Sequence, residues 1–127
     1  LPNLMVNKDL NGVNAECLIL DWTDPSSFRA LKGDVKYKTI VIADPIYSPD
    51  HPQYVVSMIS EFLETSPEAK VLLQLPIREK FENERDILWR LIDEHGLEAN
   101  NELISEGFDD FGKQRFIYKE LRWKAPT

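Results

Sequence analysis

The sequence is poor in the residues from which several kinds of site are built. It holds one cysteine, Cys17, among 127 residues. No internal disulfide can form, and no thiolate cluster can hold zinc. Cys17 lies in an apolar run, where the expectation is a buried core thiol. The two histidines, His51 and His95, stand apart with no Cys/His spacing around them, so no metal is expected. Glycine is scarce too: five residues, none in a G-x-G-x-x-G or P-loop pattern, so the chain carries no phosphate cradle of its own. No nucleophile-elbow pattern is present. Basic residues are outnumbered, 15 Lys and Arg against 22 Asp and Glu, for a formal net charge of −7. Phosphate backbones bind basic faces, so this balance argues against direct nucleic-acid binding and permits a basic protein partner. No apolar run approaches the ~20 residues of a membrane span, and no signal peptide is visible. A cytoplasmic, reducing setting is expected.

What is present reads as one globular domain, since 43% of residues are hydrophobic and 29% charged. The chain opens on Leu1 within a helical pattern, which suggests the later portion of a longer protein. The stretch Asp34 to His51 is the most informative. Thr39 to Ala43 is a continuous apolar, mostly β-branched run, as in a strand buried on both faces of a parallel sheet. Pro45 lacks an N–H and stops it near Asp44. Asp44 and Tyr47 follow on a stiff turn at the strand's carboxyl end, where open α/β sheets bind ligands.

The rest reads as a frame for that turn. Leu1–Leu10 has helical spacing, with Asn11-Gly12 as its stop. Ala15–Trp22 is a second buried-strand candidate, and Thr23–Ser27 a turn. Phe28–Leu31 is a short helical turn closed by Lys32-Gly33. Tyr54, Val55, Met58, Ile59, Phe62 and Leu63 form one helical stripe, with Pro49 or Pro52 suited to its first turn. Lys70–Leu75 is a strand stopped by Pro76. Asn83–His95 is a helix capped by Gly96. Leu97–Glu106 and Gln114–Trp123 are strands of a hairpin around a turn at 107–112. The expected class is α/β: a Rossmann-like, mostly parallel sheet with helices on both faces and a C-terminal antiparallel β-hairpin.

That order, together with Leu1-Pro2-Asn3-Leu4 and Asn7, Leu20-Asp21-Trp22 and Ala43-Asp44-Pro45-Ile46-Tyr47, resembles the second half of a seven-β-strand (class I) S-adenosylmethionine-dependent methyltransferase. The branch it resembles is that of the protein-lysine methyltransferases, and within it the fungal enzymes acting on translation elongation factors. The resemblance covers essentially the whole chain. It implies a C-terminal portion of one methyltransferase domain over 1–127, with S-adenosyl-L-methionine as cofactor and a protein lysine as acceptor. It implies that Trp22 packs by the adenine, with Asp21 and Ala43 also on the cofactor side. Asp44 and Tyr47 match the family's Asp-x-x-Tyr motif and would be catalytic. The family's sheet order is 3-2-1-4-5-7-6. Its glycine-rich loop and the acid after its second strand have no counterpart in this sequence, so this segment alone is not expected to hold cofactor tightly.

Each candidate also has a plainer role. Asp44 can cap the next turn, and Tyr47 can pack against the following helix. Trp22 can be a core aromatic, and Asp21 can cap the Thr23–Ser27 turn. His51 suits helix N-terminal capping, and His95 suits a helix C-terminus. Arg78 is a solvated arginine or a contact for an acidic substrate patch. Phe108 and Phe111 are either a substrate-docking rim or anchors for the hairpin. The readings that rival lysine methylation are a non-catalytic interaction module of the same fold, and a methyltransferase acting on a small amine or a protein N-terminus. Oligomeric state is open.

Overall fold

The computed structural model describes residues 2–109 and 112–125. The chain divides into two compact units, Leu1–Val35 and Lys36–Thr127.

In the first unit, helix α1 spans Pro2–Leu10. It ends where expected: Gly12 takes a φ of 62°, which costs a side-chain-free residue little. Helix α2 spans Ser26–Lys32 and is likewise closed by a left-handed glycine, Gly33. The expected strand at Ala15–Trp22 does not form. Ile19 within it is 72% exposed, and Cys17 is half-buried rather than buried. The reason is physical. Branched apolar residues favour extended backbone, but a strand exists only where a neighbour completes its ladder. Among the described residues nothing pairs with this segment. In the resembled sheet order its neighbour would be the second strand, which this sequence does not contain.

The second unit is a four-stranded sheet with two helices. Strands β1 (Thr39–Ala43), β2 (Lys70–Pro76), β3 (Leu97–Asp109) and β4 (Gly112–Trp123) lie in the order β1-β2-β4-β3. β1 and β2 are parallel, whereas β2–β4 and β4–β3 are antiparallel. These are the places that the expected order gives to its fourth, fifth, seventh and sixth strands. Within this segment the sheet is mixed, because the parallel pair β1–β2 is followed by the antiparallel hairpin, and the further parallel strands of the expected order have no counterpart in this sequence. The hairpin is also longer than the composition suggested. Residues 107–109 and 112, read as turn, continue the ladder, as does Lys113, whose Nζ is 3.1 Å from Glu106 Oε2.

Helix α3 (His51–Phe62) and helix α4 (Glu82–Glu94) supply the core. Pro52 occupies the first turn of α3, as its fixed φ allows. Val55, Val56 and Ile59 from α3 and Leu88 and Ile92 from α4 join Val71, Leu73 and Leu75 of β2 in one buried cluster. Those β2 residues alternate, so the helices cover one face of the sheet. The other parity is open. Thr39, Val41 and Ala43 are exposed, Val41 at 71%, so β1 is not buried on both faces as its sequence suggested. A run of five branched or small residues cannot report which of its faces is covered.

Core packing should therefore dominate stability over surface ion pairs. Leu73→Ala, at a fully buried position, should cost about 2–5 kcal/mol through lost transfer energy and the cavity left behind. Arg90→Ala, which removes an exposed pair with Glu94 at 3.6 Å, should cost less than about 0.5 kcal/mol. Urea midpoints of the two variants check the contrast. Equal losses would contradict this account of the core.

Candidate functional site

The site is built on the end of β1. Ala43 sits opposite Gln74, and the next amide, Asp44 N–H, donates to the Gln74 carbonyl at 2.9 Å. That is the last rung, because the next bond of this parallel register would come from Pro76, which has no hydrogen to give the Asp44 carbonyl. Asp44 adopts a φ of 48°, a left-handed conformation that Asp tolerates better than most residues. The backbone turns sharply there. Pro45 and Ile46 are buried, and Ile46 joins the core cluster. The turn is thus anchored from below. It carries a half-buried acid, Asp44, and a phenol, Tyr47, that is 58% exposed.

Arg78 comes from the parallel neighbour. It lies just beyond the end of β2, and its Nη2 is 3.6 Å from Asp44 Oδ2. Both side chains are about two-thirds covered, at 26% and 33% exposure. The pair is worth modest energy at that depth, but it fixes where the carboxylate points. Ile46, Leu75 and Pro76 form the apolar wall of a shallow cleft beside Asp44, and Arg78, Lys80 and Arg85 bring positive charge to it. Phe81, at the same cleft and at the start of α4, has a φ of 66°. Two non-glycine residues in left-handed backbone thus flank one cleft, a form of strain that gathers at functional sites.

Tyr47 is held on two sides. Its backbone N–H donates to His51 Nδ1 at 2.8 Å, and its ring meets the imidazole edge-on, with centroids 6.2 Å apart. Its phenol is pushed above the ordinary tyrosine range by partial desolvation, then by the Asp44 charge and a hydrogen bond to that carboxylate. The Arg78 charge opposes the shift. The hydroxyl therefore stays protonated at neutral pH. It can donate a hydrogen bond or shape a channel, and it is not a base there.

The remaining candidates lie in the first unit. Asp21 Oδ1 accepts from Thr23 N–H at 2.9 Å and from Thr23 Oγ1 at 2.7 Å. These bonds lower its pKa, the side-chain bond from Thr23 most. Asp21 thus does close the turn at Thr23. Trp22, beside it, is 36% exposed, which leaves ring surface accessible for stacking. In the second unit, Ala43 is exposed at the end of β1, where its methyl takes little room. The structure groups Ala43, Asp44 and Tyr47 with His51 and Arg78 in one unit, and Asp21 with Trp22 in the other.

Several residues sit differently from expectation. Arg78 is an ion-pair partner of the site rather than a solvated surface residue. Its only signal in the sequence was its place just after a strand. His51 does not cap α3 with its side chain; it reaches back to Tyr47. His95 Nδ1 lies 2.8 Å from the Leu91 carbonyl at the end of α4, the structural place expected of it. Phe108 is 82% exposed and anchors no core, while Phe111 falls outside the described residues.

The Tyr47 environment makes a direct prediction. In a spectrophotometric titration, the tyrosine signal absent from Tyr47→Phe should ionise above the ordinary range. In Asp44→Asn the same signal should move down, because the negative charge that disfavours phenolate is gone. It should not return fully to the ordinary value, since desolvation persists. A Tyr47 signal unmoved by Asp44→Asn would show that the two groups do not interact.

Comparison with known proteins places the chain among others. No protein-family model matches it. It is 41% identical over 124 residues to the protein-lysine N-methyltransferase EFM2 of Saccharomyces cerevisiae. That match covers 95% of this chain and 29% of the yeast protein, so the chain spans about three-tenths of that relative's length. Among solved structures, Trm5b from Pyrococcus abyssi superposes with a TM-score of 0.50 at 17% identity, over 96% of this chain and 34% of that one. M1.HpyAVI superposes with a TM-score of 0.51 at 8% identity, over 84% of this chain and 54% of that one. At those identities the structural likeness speaks to fold alone.

Proposed function

We propose that this chain belongs to the seven-β-strand methyltransferases of the protein-lysine branch and forms the acceptor-lysine side of an S-adenosylmethionine-dependent methyltransferase domain. The observation that carries the reading is the Asp44–Tyr47 turn at the carboxyl end of β1, in a chain 41% identical along 95% of its length to a protein-lysine N-methyltransferase. The acceptor protein we favour is a translation elongation factor, met in the cytoplasm, and the acidic balance of the chain suits a basic lysine-bearing segment. The chain spans about three-tenths of the yeast relative's length, and we propose the activity for a protein that holds the whole domain.

Bound S-adenosylmethionine supplies a methyl group made electrophilic by the adjacent sulfonium. Taken unit by unit, the cofactor-side roles we assign by resemblance are these: in the first unit Trp22, partly exposed, for the adenine and Asp21, whose carboxylate is oriented by Thr23; in the second unit Ala43, small and exposed at the end of β1. The lysine must arrive, lose a proton and present its lone pair in line. Asp44 attracts the ammonium and accepts a hydrogen bond from it, which fixes the nitrogen before the proton leaves to solvent. Tyr47, protonated, lends its ring face to the cation and walls the channel against water. Arg78 keeps the carboxylate directed while the site waits. Catalysis of this kind is mainly positioning, worth several kcal/mol when reacting atoms are held near contact.

Two measurements on the full-length protein test the reading. Calorimetry should show binding of S-adenosylmethionine or its demethylated product, and Trp22→Ala should weaken it by roughly 1–3 kcal/mol, the range for a lost stacking partner. Asp44→Asn should reduce methyl transfer to a lysine substrate with little change in cofactor affinity, and Tyr47→Phe should be milder. Failure of the wild-type protein to bind either ligand would overturn the proposal. Normal turnover in a folded Asp44→Asn protein would remove Asp44 from catalysis.

A further inference from the structure

We propose that His51 is a positioning residue for the acceptor site: its imidazole fixes Tyr47 beside Asp44. The inference rests on the functional reading above for its consequence, and on geometry for its substance. Tyr47 N–H donates to His51 Nδ1 at 2.8 Å, and the two rings meet edge-to-face at 83°. One side chain thus holds both the backbone and the ring of the same tyrosine. His51 is itself placed firmly. It opens α3, its own N–H donates to the Ser48 carbonyl at 3.2 Å, and the next residue, Pro52, is buried. The loop from Tyr47 to His51 is closed by these two hydrogen bonds, and α3 is packed into the core.

The alternative anchors of Tyr47 are few. Its side chain is mostly exposed, whereas the buried part of the turn, Pro45 and Ile46, precedes it. Asp44 is fixed from the sheet side by the Gln74 rung and by Arg78. Tyr47 is fixed from the helix side by His51. Each half of the Asp-x-x-Tyr turn thus has a support of its own, and the two meet at the bond between the Tyr47 hydroxyl and the Asp44 carboxylate, which leaves the Tyr47 backbone to His51. An acceptor Nδ1 also sets the chemistry of the imidazole: this nitrogen carries no proton, so the ring proton resides on Nε2.

That atom-level role separates conservative replacements that a structural role would not. Asn places its Oδ1 where His has Nδ1, one bond beyond Cγ, and can accept the same N–H. Gln places its amide one bond further out, and Ala offers no acceptor. In the full-length protein, His51→Ala and His51→Gln should lower kcat for methyl transfer on the order of ten- to a hundredfold, as misplacement by about an ångström does. KM for S-adenosylmethionine should hardly move. His51→Asn should recover most of the loss. Hydrogen exchange of the Tyr47 amide gives a readout independent of turnover: slow in wild type and His51→Asn, fast in His51→Ala and His51→Gln. Should the wild-type protein transfer no methyl group, the functional reading fails alone, and the Tyr47 amide still decides whether the imidazole holds the turn. The proposal is overturned if His51→Ala keeps normal kcat. It is equally overturned if Asn fails to rescue, or if the losses simply follow melting temperature across the variants.

Discussion

The rest of the candidate site depends on one hydrogen bond, from the Asp44 amide to the Gln74 carbonyl. It is the last rung between β1 and β2, and the chain cannot add another because the next donor of the register is Pro76, while Pro45 turns the chain out of the strand. Ladder and proline together place the sharp turn at one residue. The left-handed φ of Asp44 is the local cost of that turn. The burial of Pro45 and Ile46 offsets it, by tying the turn to the core beneath. Everything that gives the site its character follows from that fixed point: the acid at the strand end, the arginine from the neighbouring strand, and the phenol three residues on.

The electrostatics divide the labour between the two motif residues. Asp44 has a cation within 3.6 Å before any substrate arrives, and that cation stays partly covered. A carboxylate so paired is preorganised for a second positive group without needing to be buried, which avoids the large desolvation cost of an isolated charge. Tyr47 goes the other way. Its phenol is made harder to ionise, so it brings a ring face and a neutral hydroxyl. The acid at the strand end and the neutral ring three residues on are the two groups of the turn that can meet an ammonium, one by charge and one by its face. Lys80 and Arg85 lie in the same cleft, where their charge would favour an acidic neighbour of the acceptor lysine.

Much of this was legible in the sequence, for identifiable reasons. The helices α3 and α4 carry strong periodicity, β1 and β2 are short apolar runs, and Pro45, Pro76 and Gly96 bound these elements locally. The Asp44–Tyr47 turn was visible because a proline stops the strand abruptly there. What failed or was missed depends on partners distant in the chain. Ala15–Trp22 has the composition of a strand and no ladder partner to make it one. Val41 belongs to an apolar run, yet only one parity of β1 meets the helices. Arg78 looked like a surface charge because Asp44, its partner, lies across the β1–β2 crossover. His51 read as a helix cap, and only the turn geometry shows its Nδ1 accepting the Tyr47 N–H. The hairpin's last residues looked like turn because glycines and charges dominate there, whereas cross-strand pairs such as Lys113–Glu106 extend the ladder.

The central claim is that Asp44 and Tyr47 act on the acceptor amine as one device held at the end of β1. A double-mutant cycle on kcat/KM for a lysine-bearing substrate, with Asp44→Asn, Tyr47→Phe and the pair in the full-length protein, tests it most directly. The account predicts a coupling of about 1 kcal/mol or more between the two changes, as for groups in one network, with the cofactor dissociation constant nearly constant throughout. Strictly additive effects, or losses that appear wholly in cofactor binding, would contradict it.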